Sequence, residues 1–439
     1  MGDFSHGVIG WDIGGVNVKV ARVADGEVLT VRNRAFELQR APTGLVSLLK
    51  ELAGDVGGDL VATAHAVTMT AELSQMFRTK RDGVWFVLDA VETAFPSSTV
   101  HVYTVDGNFL TPAKARETAI DVAAANWAAT ARAVAERHPD TLLIDIGTTS
   151  TDIIPIVGGV VVAAGRTDPG RLASGELVYT GALRTPTEAI ASHVVIDGQP
   201  IGVSAEGFAL AGDVHVWRGD LDPSDYTVAT PDGRPPTREF AGERLARVIC
   251  SDRELLGEEG VTALANSLAA AQVARIASAV EQVRARYPSL RTAVVTGLGA
   301  FLGAAAARAA GLEVVSLAAE LGDAAALCAP AACVALLLEK QLRAVSAGHG
   351  AGQAGLKSRL YTENERAPSR PRRSTVEVVI KIGGGLLSQP CHLDTLLTTV
   401  CAAARERRLV IVPGGGLFAD TVRHIDQMKL SDDAAHWMA

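Results

Sequence analysis

The sequence predicts an α/β protein in which one type of strand and turn occurs twice. Three observations carry this. Val8-Ile9-Gly10-Trp11-Asp12-Ile13-Gly14-Gly15 near the start reads like Leu142-Leu143-Ile144-Asp145-Ile146-Gly147-Thr148-Thr149 further along. Apolar runs of strand length alternate with helical periodicity over most of the chain. A third strand, Val294-Val295-Thr296, again runs into glycines, Gly297-Leu298-Gly299. An aspartate at a strand end followed by glycine gathers a carboxylate and several backbone N–H groups in one small volume, which suits a metal-bound phosphate. Two copies, one per half, would face each other across a cleft.

In chain order, the first Asp-Ile-Gly strand leads to strands over 16–22 and 27–32, a helix over 45–53, a strand over 60–68 and a helix over 85–95. A strand over 100–104 and one long alanine-rich helix over 113–137 precede the second Asp-Ile-Gly strand. Residues 153–157 and 160–164 flank Gly158-Gly159, which predicts a β-hairpin. Residues 167–252 are richer in Gly, Pro and Asp and predict an inserted lobe with loops near the cleft. A helical run over 254–286 leads to the strand over 291–296. Residues 324–338, small and apolar but too short to span a bilayer, predict a buried helix.

With 439 residues, 48% hydrophobic content and 21% charged residues, the chain can bury more than one core. Its net charge of -8, without a basic stripe, argues against nucleic acid as a partner. The five cysteines (Cys250, Cys328, Cys333, Cys391, Cys401) never fall in C-x-x-C spacing, so neither a zinc site nor a disulfide framework is expected. A reducing cytoplasm is the simplest setting. The first residues show no basic segment followed by an apolar run, so no leader and no membrane attachment are expected. Small-molecule substrates are expected, and a homo-oligomer is compatible with the sequence.

Residues 346–375 have linker composition, and a separate segment follows over 376–439. It carries Ile380-Lys381-Ile382-Gly383-Gly384-Gly385 and Val412-Pro413-Gly414-Gly415-Gly416.

Other residues read two ways. Glu72 and Asp152 are carboxylates placed to act as bases, or a helix-start residue and a structural cap. Lys19 is a point-charge partner for a diphosphate, or a surface lysine on an edge strand. Arg184, between Tyr179-Thr180-Gly181 and Thr185-Pro186, sits on a loop and is either a bidentate grip on a carboxylate or phosphate or a solvated arginine. His65 and His101, within apolar strands, read as core histidines.

The ordered triplet Asp12-Ile13-Gly14, Asp145-Ile146-Gly147 and Thr296-Gly297-Leu298-Gly299 resembles the actin, sugar-kinase and heat-shock-protein ATPase fold, with duplicated ribonuclease-H-like domains. The resemblance implies that Asp12 and Asp145 hold Mg²⁺, directly or through water. It implies too that Gly14, Gly15, Asn17, Gly147, Thr148, Thr149, Thr151, Gly297 and Gly299 line the anion site, with ATP as an admissible ligand. Asp145-Ile146-Gly147-Thr148-Thr149-Ser150-Thr151-Asp152 is similar to the second phosphate motif of the hydantoinase A/oxoprolinase family. Val67-Thr68-Met69-Thr70-Ala71-Glu72-Leu73, Thr79-Lys80-Arg81-Asp82-Gly83-Val84, residues 179–186 and residues 205–213 resemble the branch linked to tetrahydromethanopterin and methanofuran one-carbon metabolism.

That resemblance covers about residues 7–345 and implies an ether-forming transferase. It would join an aminomethylfuran-methyl diphosphate to the phenol of γ-glutamyltyramine, with Asp12, Asp145, Lys19, Asp152 and Glu72 as the chemical residues and Arg184 binding substrate. The first loop reads Gly15-Val16-Asn17-Val18-Lys19 where ATP-using members continue Gly-Gly-Thr, which exchanges a hydroxyl for a cation. An ATP-dependent amide-ring hydrolase and a non-catalytic nucleotide-binding scaffold are the alternatives. The final segment resembles the opening of the amino-acid kinase family, where Lys381, Gly383, Gly384, Gly414 and Gly415 would meet phosphate. That family's nucleotide-binding half would lie beyond residue 439, so the segment is expected to be an inactive, truncated kinase module.

Overall fold

The computed structural model describes residues 7–57, 64–350, 378–382 and 409–413. The chain divides into two compact units, residues 1–361 and 362–439. In the first unit, β1 (Val8–Ile13), β2 (Asn17–Ala24) and β3 (Glu27–Ala35) form an antiparallel meander, followed by helix α1 (Leu45–Asp55). β4 (Ala64–Met69) returns parallel to β1, and after α2 (Lys80–Ala94) β5 (Val100–Tyr103) adds parallel to β4. A short antiparallel β6 (Phe109–Leu110) closes a sheet ordered β3-β2-β1-β4-β5-β6. α2 begins at Lys80, ahead of the expected 85, because the Thr79 hydroxyl accepts from the Asp82 N–H at 3.1 Å and caps its first turn.

The expected helix over 113–137 is three shorter ones, α3 (Pro112–Glu117), α4 (Ala119–Val122) and α5 (Asn126–Ala135). Thr118 leaves helical geometry between the first two, and Ala123 and Ala124 break the chain again, Ala124 with a positive φ of 49°. Tertiary pairing overrides alanine propensity there: Ala123 forms a parallel bridge with Met69 at the end of β4, and Ala124 and Asn126 line the cleft.

The second half repeats the plan. β7 (Thr141–Ile146) pairs antiparallel with β8 (Thr151–Val157), which carries the expected hairpin to β9 (Val160–Val161). After α6 (Asp168–Ser174), β10 (Leu177–Val178) adds antiparallel to β8. The inserted lobe then brings α7 (Thr187–Ile190), a hairpin of β11 (His193–Ile196) and β12 (Gln199–Gly202), α8 (Ala211–Arg218), α9 (Arg238–Arg247) and α10 (Arg253–Arg286). β13 (Thr292–Thr296), α11 (Ala300–Ala309) and β14 (Glu313–Ser316) complete a sheet ordered β10-β8-β7-β13-β14, with β7, β13 and β14 parallel. Strand for strand this is the order and polarity of β3-β2-β1-β4-β5, so the duplicated ribonuclease-H-like fold expected from the two Asp-Ile-Gly motifs is present.

After α12 (Ala318–Leu321) and α13 (Asp323–Leu327), the expected buried helix is broken at Cys328 and resumes as α14 (Ala329–Gly350). α14 packs against β1, β2 and β4 of the first sheet, whereas α5 packs against β7, β8 and β9 of the second. Each half is thus covered by the other half's closing helix, and one apolar cluster joins Val8, Ala66, Ala128, Leu143, Ile154, Val294, Val334 and Leu338. α10 is long and apolar enough to cross a bilayer, yet its buried face, including Leu264, Leu268, Ile276 and Val280, packs against α8, α9, α11 and β8 as a core helix does. In the second unit β15 (Val378–Ile382) pairs parallel with β16 (Leu409–Pro413).

Candidate active site

The two hairpins close alike. The Gly14 N–H donates to Asn17 O at 2.9 Å, and the Gly147 N–H to Ser150 O at 3.0 Å. Tight turns at those points leave Asp12 and Asp145 at the ends of the central strands, opposite Lys19 and Asp152 in register. Both aspartates are buried, 8% exposed. Burial pushes the Asp145 carboxyl up to about 7; Asp152 and Asp12 add repulsion and Lys19 opposes them. Asp12 is raised chiefly by burial, with Lys19 opposing and Asp152 adding. The two strand ends therefore share one electrostatic field with Lys19, and a cavity of about 660 Å³ is lined by Asp12 but not by Asp145, which lies behind it against Gly297.

Asp12, Gly14, Gly15, Asn17 and Lys19 line this cleft from the first half, Gly147, Thr148, Thr149 and Asp152 from the second, with Glu72 and Arg184 beside them. Lys19 does not stand on an edge strand: β2 lies between β1 and β3. Arg184 is exposed and forms no ion pair among the described residues, while its backbone N–H ties to Thr148 O at 2.9 Å.

Three expected phosphate contacts fall elsewhere. Thr151 is fully buried and its hydroxyl donates to Thr180 O at 2.7 Å, so it holds the β8–β10 edge. Gly297 and Gly299 do not line the cleft; Leu298 between them does. Their glycines serve close packing. Gly297 has φ 85°, and a Cβ there would stand 2.4 Å from Ile146 O and 2.5 Å from Asp145 Oδ1, while the Gly299 N–H donates to Ile146 O at 2.9 Å.

Asp152 is held rather than loose. Arg171 donates to its Oδ1 at 2.6 Å and lies over the Trp127 ring at 4.7 Å. Burial raises the Asp152 carboxyl, with Arg171 opposing. Arg171 also reaches Asp168 at 3.3 Å, and Asp168 takes Lys80 of the first half at 2.5 Å. Arg171, Asp168 and Lys80 were not among the expected site residues. The helix-start signature Thr167-Asp168-Pro169 was the available signal, the Thr167 hydroxyl accepting from the Gly170 N–H.

Glu72 sits on the turn Ala71–Leu73, 2% exposed, and burial pushes its carboxyl up to about 7. Asp12 Oδ1, Asn17 Oδ1 and both Glu72 carboxylate oxygens are buried without a hydrogen-bond partner. His65 is a core residue, accepting from Trp11 Nε1 at 3.0 Å on Nδ1 and stacked on Phe95, and burial lowers it to about 4. Cys250, Cys328 and Cys333 are free thiols. Among the described residues no cluster of three or more His, Cys, Asp or Glu forms a metal cage. Lys381 lies on β15, opposite Val412. Gly383, Gly384, Gly414, Gly415, Cys391 and Cys401 lie outside the described residues.

Two ribonuclease-H-like halves, each with an aspartate and a glycine turn at the end of its central strand, define the actin-like fold. The hydantoinase/oxoprolinase family model matches residues 63–341, and the chain belongs to that family. Over 336 residues it is 37% identical to (4-{4-[2-(γ-L-glutamylamino)ethyl]phenoxymethyl}furan-2-yl)methanamine synthase of Methanocaldococcus jannaschii, covering 76% of this chain and 98% of that protein. The protein of the same description from Methanococcus vannielii is 31% identical over 207 residues, 46% of this chain and 92% of that one. Among solved structures, nucleotide-free acetone carboxylase aligns with a TM-score of 0.45 at 12% identity, over 74% of this chain and 70% of that one.

Proposed function

We propose that this chain is the ether-forming transferase of methanofuran-type cofactor synthesis, joining an aminomethylfuran-methyl diphosphate to the phenol of γ-glutamyltyramine with release of diphosphate. The observation that carries the reading is the likeness, over 76% of this chain, to a synthase described by that ether product. The chemistry of the cleft is compatible with it. The methylene–oxygen bond to diphosphate breaks, the phenol oxygen bonds to the methylene, and the phenol proton must find an acceptor.

In this reading Lys19 and the N–H groups of Gly15, Thr148 and Thr149 hold the diphosphate oxygens, and Arg184 reaches in from the facing loop. Asp12 and Asp145 fit a magnesium ion: they are hard oxygen donors, and Asp12 Oδ1 has no donor of its own. When bound, such an ion would offset negative charge growing on the departing diphosphate. We assign the proton of the phenol, whose ordinary pKa is about 10, to Asp152. Arg171 orients that carboxylate, and burial raises its proton affinity. ATP has no part in this scheme. In the second unit, Lys381 and the glycine runs after β15 and β16 are read as the phosphate-binding start of an amino-acid-kinase-like module.

Incubation with the furan diphosphate and γ-glutamyltyramine is expected to release pyrophosphate stoichiometrically with ether formation. Turnover that requires ATP would overturn the assignment.

A further inference from the structure

Resting on that reaction, we propose that Glu72 is the residue that recognises the primary ammonium of the furan substrate. Beside Lys19 and the Gly14-Gly15 turn, where the diphosphate is placed, the wall of the cleft contributed by the first half carries acceptors that have no donor of their own. Glu72 Oε1 and Oε2, Asp12 Oδ1 and Asn17 Oδ1 are all buried there without a partner. The cation closest to hand, Lys80, is already committed to Asp168 at 2.5 Å. α2 is packed against the Glu72 backbone: a Cβ on Gly83 would stand 2.5 Å from Glu72 Cα. A buried carboxylate left this way is costly until a cationic donor fills the place.

The two substrates bring four kinds of polar end. Diphosphate and the glutamyl carboxylate are acceptors and are repelled by the Glu72 carboxylate, the diphosphate being received by Lys19 and the turn N–H groups instead. The phenol offers one O–H. An alkylammonium offers three N–H donors and no acceptor, which is the complement of the two Glu72 oxygens, Asp12 Oδ1 being given to magnesium in the proposed reaction. The glutamyl end has an ammonium too, but it lies beyond the phenyl ring, the ethyl linker and the amide. Only the furan ring separates the aminomethyl group from the carbon bearing diphosphate. Glu72 lines the same side of the cleft as Lys19 and the Gly14-Gly15 turn, where the diphosphate is placed, so the furan ammonium is the one brought to it. No covalent step is assigned to Glu72.

The test compares wild type with Glu72→Ala and, should that variant fold poorly, Glu72→Gln, on the furan diphosphate and on an analogue with methyl in place of aminomethyl. On the amine substrate kcat/KM is expected to fall ~100-fold, carried by KM, as for loss of a buried charge partner. On the analogue the gap between wild type and variant is expected to close. An equal loss on both substrates, or a fall in kcat with a displaced pH profile, overturns the proposal in favour of a structural or proton-transfer role. If wild type releases no pyrophosphate at all, the reaction assignment fails instead. Calorimetric binding of (furan-2-yl)methanamine then decides Glu72 alone: weaker binding to the variants supports it, equal binding refutes it.

Discussion

Lys19 and Asp152 stand at the same register position of two matching hairpins, opposite Asp12 and Asp145, and carry opposite charge. The cation in the first copy relieves both strand-end aspartates, while the anion in the second adds to their repulsion and needs Arg171 to hold it. These aspartates were readable from sequence because a strand, an aspartate and a glycine turn are contiguous along the chain. The Arg171–Asp152 pair was not, since β7, β8 and α6 must fold before an arginine nineteen residues away meets that carboxylate. Glu72 makes a stability prediction of its own. Burial raises it from an ordinary 4.5 to about 7. The folded protein therefore holds more protons than the unfolded one across that window, so stability falls as pH rises from 4.5 to 7 and stays lower above it. Glu72→Gln is expected to remove that slope and to gain up to about 3 kcal/mol at pH 8 and nothing near pH 4, as read by denaturant titration at the two pH values.

At the scale of elements, the third glycine turn was expected as a phosphate contact and instead buttresses the second. Both uses need glycine, which is why composition could not separate them; only the β13–β7 register brings Gly297 against Asp145. Gly297→Ala would drive a Cβ onto Ile146 O and the Asp145 carboxylate at a φ of 85°. The expected outcome is a loss of about 2 kcal/mol in stability, the cost of a strained backbone with overpacking. Turnover should fall with it because Asp145 is displaced, and the two are separated by unfolding curves and kcat measured on the remaining folded protein. The same competition between local and tertiary preference broke the alanine-rich stretch into α3, α4 and α5: helix propensity was legible, the demand for a rim at Ala124 was not.

For the molecule as a whole, the synthase of Methanocaldococcus jannaschii is spanned over 98% of its length by 76% of this chain. A chain ending at Tyr361, where the first compact unit ends, is expected to keep pyrophosphate release at the rate of the full chain; loss of turnover with the fold intact by circular dichroism would show that the second unit takes part. The duplicated architecture was legible in outline from two short motifs. What no local pattern revealed is the exchange of closing helices, because α14 reads as an ordinary apolar helix until its partner strands are known. That exchange sets the timetable of synthesis. β1, β2 and β4 are translated early relative to the helix that seals their inner face, which is made more than two hundred residues after β4. Throughout that interval the apolar face around Val8, Val23 and Ala66 lacks the helix that covers it in the folded protein, so the early half is expected to aggregate when it is produced without α14, as read by sedimentation of the truncated chain.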